Sequence, residues 1–425
     1  MSQAAVPQDR VQPQALPQPL ATICAALAAL GAVTFAVGLV MDPAKTWRAF
    51  HVNYIYFGGL AQAGVVVASI FVVVGARWPG PVRGLAQGLG AWVPITFVLA
   101  AVSFLGREYI YPWIEHPVEG KEAWLNPARL YLMDLAILGL LALLSMTFLK
   151  HSVRPGLHAA ASRFEGRARR WCERWTRNWR GEEVERARSE ARVRTLAPVI
   201  CLVYALGFTV IGFDQVMSLS PTWFSNIFGA YFCWGAFLSA VAATALLAVL
   251  HRNHPGLEGE ITPSRLHDLG KMVFAFSIFW MYLFFSQYIV IWYGNLPEET
   301  SFLAGRLGSQ FFQDTWYFAI SRLQEPYAPV SMVVWACCWI IPFWTLLGER
   351  PKRTWWWLGA ISAIVVFGFW LERNVLIWPS FVPDDSLAWL GVIQIGIAAG
   401  FLGAFALVYL IYTRVFPSLA VPQRS

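Results

Sequence analysis

Along this chain the apolar residues neither alternate with polar ones nor recur on a single helical face. They run in blocks of about 20, the length that carries a helix across the hydrocarbon layer of a bilayer. The pattern predicts ten spans: Leu20–Met41, Tyr54–Ala76, Leu85–Gly106, Arg129–Leu149, Thr195–Val216, Phe224–Leu250, Gly270–Tyr293, Tyr327–Gly348, Trp355–Leu371 and Leu387–Tyr412. Inside lipid the backbone must satisfy its own hydrogen bonds, so each block is predicted to be a helix. Pro94, Pro198, Pro329 and Pro342 fall within spans and are expected to kink or break them. The first block is longer than the apolar core of a cleaved signal and follows a Gln- and Pro-rich stretch, so it is predicted to remain as a helix.

Composition supports this reading and adds an orientation. Of 425 residues, 57% are hydrophobic and only 13% charged, about half the charged share of a soluble domain. With the N-terminus placed in the cytoplasm, 24 of the 32 Lys and Arg residues fall on the cytoplasmic side, as the positive-inside rule requires. The net charge of +7 then reflects topology, and nucleic-acid binding is not predicted. The expected organisation is a disordered cytoplasmic N-terminus (1–19), a first transmembrane bundle (20–149), a basic cytoplasmic loop (150–194), a second bundle with peripheral helices (195–413) and a cytoplasmic tail (414–425). The fold class is all-α and polytopic, with the lipid bilayer as the first partner.

The basic loop alone carries 13 Lys and Arg residues. Within it Phe164, Ala168, Trp171, Trp175 and Trp179 fall near one helical face, with Arg163, Arg167, Arg170, Arg174 and Arg177 around the rest. A basic amphipathic helix with Trp on its apolar side suits an anionic lipid surface. The same face also suits docking on other loops or a partner subunit.

Several chemistries lack their residues. The six cysteines form no C-x-x-C pair, so neither zinc nor cysteine-ligated clusters are predicted in this chain. His51, His116, His151, His158, His251, His254 and His267 all fall outside the middle of a predicted span, where a haem-binding membrane helix would place them. No metal site, bound haem or catalytic residue is predicted, and no P-loop or serine-nucleophile motif occurs.

Polar residues inside the spans are few and crowd toward one side. Asp134, Asp214, Gln62, Gln287, Gln394, Ser286 and Tyr288 fall in the outer halves, with Glu372 at the outer end of the ninth span. The inner halves offer mainly Tyr204, Thr147, Ser145, Ser362 and Thr345, with Lys271 at the inner rim. A charged residue in a span costs roughly 2.5–3.5 kcal/mol on insertion scales, so it usually has a task or a partner. One reading is a protonatable pocket open to the outer face, a half-channel rather than a complete proton wire. The other is that Asp134 and Asp214 pair with Arg107, Arg129 or Arg322 and fix helix packing. Lys271 with His267 and Asp268 reads as a salt-bridge cluster or a proton entry, and Glu298 and Glu299 as solvated loop acids.

Two segments are more specific. Phe213–Ser225 reads FDQVMSLSPTWFS, and His267–Thr300 reads HDLGKMVFAFSIFWMYLFFSQYIVIWYGNLPEET. Together they resemble the ActF-type subunits of alternative complex III, a bacterial quinol-oxidising respiratory complex, within the broader NrfD-like (polysulfide-reductase-type) membrane family. The family pattern usually has Asp-Trp where this chain has Asp214-Gln215, and Ser-Thr where it has Ser225-Asn226.

The resemblance implies ten helices in two four-helix bundles plus two peripheral helices. It implies an assembly in a bacterial inner membrane with an ActC-like membrane subunit, an iron–sulfur protein and c-type cytochromes, the haem c and iron–sulfur clusters lying in those partners. Quinone or quinol is then the expected ligand. Asp214, Asp134, Lys271 and Glu372 are the proton-transfer candidates, and Gln287, Ser286, Tyr293 and Trp292 the quinone-binding candidates. Two other readings remain: an NrfD-like anchor of a different quinone-linked oxidoreductase, and a secondary transporter, which would place its polar residues nearer the bilayer midplane.

Overall fold

The computed structural model describes residues 17–161, 166–254, 257, 259–308, 326–383, 385 and 387–415. Arg163, Phe164 and Arg322, most of the N-terminal stretch and most of the C-terminal tail lie outside them, as do the side chains of Arg167 and Ala168. The described residues contain helices and no strand. Ten helices are long and apolar enough to cross a membrane, so the chain is an all-α polytopic membrane protein.

In chain order the principal helices are α1 (Gln18–Met41), α2 (Pro43–Val73), α3 (Val82–Ile110), α4 (Pro127–Ala160), α5 (Gly166–Trp175), α6 (Glu182–Gln215), α7 (Phe228–Leu250), α8 (Pro263–Gly294), α9 (Pro297–Leu307), α10 (Ala328–Thr345), α11 (Trp355–Ile377) and α12 (Val392–Val415). All but α5 and α9 are spans. α2, α3, α4 and α6 pack as one four-helix bundle, and α7, α8, α10 and α11 as a second. The bundles meet where α2 and α6 lie against α7, while α1 and α12 form a pair on the flank of α2.

Grouping by packing is thus not grouping by chain order. The first span stands outside the bundle that 20–149 was expected to form, and the fifth, in α6, joins it from across the basic loop. Burial follows this plan: α2 has 89% of its most apolar stretch buried and α7 78%, against 17% for α1. A helix that is apolar all round and central needs no polar face.

Helix ends are set by local chemistry. Asp42 caps α2 by accepting from the Lys45 N–H at 3.0 Å, with Pro43 in the first turn. This start lies well before the predicted Tyr54, so His51 falls inside the helix. α4 begins at Asn126, whose side chain accepts from the Ala128 and Arg129 N–H groups. In α3 the helix tightens to 3-10 geometry at Gly90–Trp92, just ahead of Pro94. In α10 it widens to a π turn at Ala336–Ile340, just ahead of Pro342. In both, the backbone accommodates a residue with no N–H and a bulky ring.

The α1–α12 contact depends on glycine. A Cβ on Gly31 or Gly400 would overlap the other's backbone, and Gly396 and Gly403 meet α1 almost as closely. Gly396 and Gly400 are four residues apart, the spacing that lets two helix backbones touch in a membrane.

At the end of the molecule bearing the basic loop, the loop folds back onto its own helices. Arg154 on α4 pairs with Glu185 on α6 at 2.8 Å and donates to the Trp175 and Arg177 carbonyls. Trp179 stacks on His158 at 3.7 Å between centroids, and Cys172 is buried, while Trp171 stays exposed. So the predicted Trp face is divided between the chain itself and the surroundings.

Candidate functional site

At the opposite end, the first bundle holds a cluster of polar side chains. α4 enters with Arg129 in its first turn and Asp134 further in. α6 ends on Asp214 and Gln215, which point about 100° apart because they are successive helical residues. Asp214 therefore meets Arg129, and Gln215 faces Asp134.

The contacts are direct. Arg129 donates from both terminal nitrogens to the two oxygens of Asp214, each at 2.8 Å. Its Nε and Nη2 also reach the Trp124 carbonyl, and its guanidinium lies 4.0 Å over the Trp124 ring. The arginine side chain is 24% exposed and the Asp214 side chain 0%, so Arg129 forms the outer wall of the cluster.

Gln215 organises the inner side. Its amide nitrogen donates to Asp134 Oδ2, and its Oε1 accepts from the Tyr111 hydroxyl at 2.9 Å. Its backbone carbonyl lies 2.8 Å from His51 Nε2. A carbonyl only accepts, so Nε2 carries the hydrogen. Asp134 Oδ1 and His51 Nδ1 have no hydrogen-bond partner among the described residues. Tyr111 sits just past the end of α3 in extended backbone. Burial, aided by Tyr131 and Asp134, pushes its hydroxyl well above the usual tyrosine value, which keeps it a donor.

One guanidinium thus clasps Asp214, and the neighbouring Gln215 ties Asp134, Tyr111 and His51 to the same helix end. A carboxyl group beside a fixed guanidinium can ionise with a matching charge already in place. Deeper in the bundle the next polar pair is neutral: Gln62 on α2 donates to Ser145 on α4 at 3.1 Å. Ser145 is eleven residues beyond Asp134, a helical rise of about 16 Å.

The other predicted residues lie elsewhere. Glu372 on α11 is buried in the second bundle, 3.1 Å from Arg373 Nη1, with Tyr231 against it. Gln287 on α8 is also buried there and accepts from Ser225 at 3.2 Å. The two line one cavity with Arg306 of α9. Ser286, Trp292 and Tyr293 do not. The buried stripe of α8 runs through Leu283, Gln287 and Ile291, and these three residues fall off it, with Tyr293 86% exposed. They lie on other faces of α8 than the one that lines the cavity. Lys271 is exposed at the basic-loop end and pairs with Asp268 at 2.6 Å, away from both clusters. Arg107 pairs with its neighbour Glu108. Glu298 is exposed as expected and Glu299 is half-buried, and both lie in the first turn of α9, where the helix dipole favours acids.

His51, Tyr111, Gln215 and Arg306 were not among the predicted site residues. The Asp42-Pro43 start signal, given its weight, would have placed His51 in a helix. Nothing local marked Tyr111 or Arg306, whose burial depends on packing between distant segments. Among the described residues no group of three His, Cys, Asp or Glu side chains is placed to hold a metal ion. Compared with protein-family models and with curated proteins, the chain matches none.

Proposed function

We propose that this chain is an integral membrane subunit of a quinol-oxidising respiratory complex of the alternative complex III type, and that it exchanges protons while partner subunits carry the electrons. The observation that carries this reading is the Arg129–Asp214–Gln215–Asp134 cluster, two carboxyl groups beside one guanidinium at one end of an apolar bundle. Oxidising a quinol releases two protons with two electrons, and each proton needs an acceptor within hydrogen-bond reach or one water away. Asp134, with an oxygen free of described partners, is the acceptor in this reading. Asp214, clasped by the surface-reaching Arg129, is the exit.

The distribution of Lys and Arg supports an orientation with both termini in the cytoplasm. The carboxyl cluster then faces the outer side of a bacterial inner membrane. The chain binds no haem or cluster of its own in this reading. Haem c and iron–sulfur clusters belong to c-type cytochrome and iron–sulfur partner subunits, and an ActC-like membrane subunit lies beside it.

Purification of the tagged chain from its native membrane in mild detergent tests the proposal. Co-purification with c-haem absorbance and an iron–sulfur paramagnetic signal is the expected result. Co-purification with a molybdopterin enzyme would mark an anchor of a different oxidoreductase, and a lone chain with solute uptake would mark a transporter. Either result overturns the proposal.

A further inference from the structure

The first bundle has a second feature, at the end away from the carboxyl cluster. Along α6, Arg188, Arg192, Val199, Leu202 and Leu206 follow one another at spacings of three, four or seven residues, and all are exposed. Such spacing keeps them on one face of the helix. Along α4, Leu140, Leu143 and Lys150 form a matching exposed stripe. Gly207 packs against Ile137 and Leu141, which marks the line where the two helices touch. Each stripe lies about a quarter turn from that line. Because the helices run antiparallel, both stripes fall on the same side of it. Lys150, Arg188 and Arg192 all come close enough to the His151 ring to act on its charge, so the basic ends of the two stripes meet.

The positive charge there is largely uncompensated. Glu185 is buried and taken by Arg154 at 2.8 Å, with Arg188 3.8 Å away, and Glu190 lies 3.9 Å from Arg194. Lys150 and Arg192 pair with no carboxylate among the described residues. None of these cations belongs to the Trp face that the sequence pattern singled out. Beyond them the shared face is apolar. From Arg192 to Leu202 the helix rises about 15 Å, half of the roughly 30 Å hydrocarbon layer. A cluster of cations at the rim, followed by an apolar strip one leaflet deep, matches a molecule with an anionic phosphate head and long hydrocarbon tails. Guanidinium groups take phosphate oxygens in pairs, and Lys adds a point charge. A free phosphate would leave the apolar strip unused.

We propose that this α4–α6 face binds an anionic phospholipid of the leaflet at the basic-loop end. Arg188, Arg192 and Lys150 hold its phosphate, and its acyl chains lie along Leu143, Val199 and Leu202. The site bridges two helices and requires no quinol-linked activity, so it stands or falls apart from the proton cluster.

The test uses the full chain, or the complex in which it purifies, in phosphatidylcholine vesicles doped with phosphatidylglycerol whose acyl chain bears a diazirine. Photolabel mapped by mass spectrometry is expected on segments 140–150 and 192–206, well above that from phosphatidylcholine bearing the same diazirine. Arg188→Gln with Arg192→Gln is expected to reduce the label about tenfold, Lys150→Gln several-fold, and Lys271→Ala, a cation at the same end but away from this face, not at all. If the double variant fails to fold, Lys150→Gln decides. Equal label from the two lipids, label unchanged in the deciding variant, an equal loss in Lys271→Ala, competition by inorganic phosphate at constant ionic strength, or a face left unlabelled because an acidic partner chain covers it overturns the proposal.

Discussion

Arg129 and Asp214, 85 residues apart in sequence, meet through two parallel 2.8 Å hydrogen bonds that tie the start of α4 to the end of α6. Paired forks of this kind fix orientation as well as energy. Removing the guanidinium alone leaves a fully buried carboxylate unmatched. Arg129→Gln is therefore expected to destabilise the protein by about 1–3 kcal/mol, and Arg129→Gln with Asp214→Asn by less. Thermal unfolding of both variants in detergent checks this. A double variant no more stable than the single would show that the pair is not coupled.

The same aspartate carries a functional expectation. Asp214→Asn keeps the shape and a hydrogen-bonding amide but removes the proton-accepting oxygen. Quinol oxidation or proton release by the assembled complex is expected to slow at least tenfold, a barrier increase of about 1.4 kcal/mol, with assembly intact. Unchanged turnover in an assembled complex would leave Asp214 a purely structural residue.

Gln215 links both sides of the cluster and offers a sharper test. Gln215→Leu deprives Asp134 Oδ2 and the Tyr111 hydroxyl of their partners at once. Each unmatched buried group costs about 1–3 kcal/mol, while Arg129 and Asp214 keep their bonds. The infrared stretching band of a protonated carboxyl should shift in Gln215→Leu and vanish in Asp134→Asn. A band unaffected by either change would place the titrating carboxyl outside this cluster.

What the sequence made legible follows from how far each signal reaches. The spans were visible because apolar blocks of membrane length are a local property. Asp134 and Asp214 stood out because carboxyl groups are rare in such blocks. The grouping of helices was not visible, since α1 joins α12 through glycine contacts between opposite ends of the chain. Arg129 was one of three candidate partners, and only the geometry selects it for Asp214 over Asp134. Gln287 could be named from the sequence, but Ser286, Trp292 and Tyr293 could not be separated from it until the buried face of α8 was known. Arg306 was invisible because a basic residue between spans ordinarily belongs to a solvated loop.

The glycine contact makes its own prediction. Gly400→Leu cannot keep α12 against Gly31, so α1 should detach while both bundles persist. Cys24, buried where α12 passes at Gly403, reports the change. Its modification by a maleimide, mapped by mass spectrometry, should be slow in the native protein and at least tenfold faster in Gly400→Leu. Equal rates would mean that α1 is held by something other than this contact.

Acid sensitivity at the α1–α2 corner follows from Asp42. Partial burial pulls its carboxyl upward, but the Lys45 N–H, the Lys45 ammonium and Arg48 outweigh it and hold the group below the ordinary value of 3.8. A carboxyl depressed in the folded state adds stability above the unfolded value and loses it as pH falls through the folded one. The cap is therefore at full strength above pH 3.8 and fades below it. Asp42→Ala should cost about 0.5–2 kcal/mol at neutral pH. Asp42→Asn should keep most of the cap and remove its pH dependence, because an amide accepts the Lys45 N–H without titrating. Unfolding temperatures of the three proteins at neutral pH and at pH 3 decide the matter, and an Asp42→Asn protein that loses as much as the native one on acidification would move the sensitivity to another carboxyl.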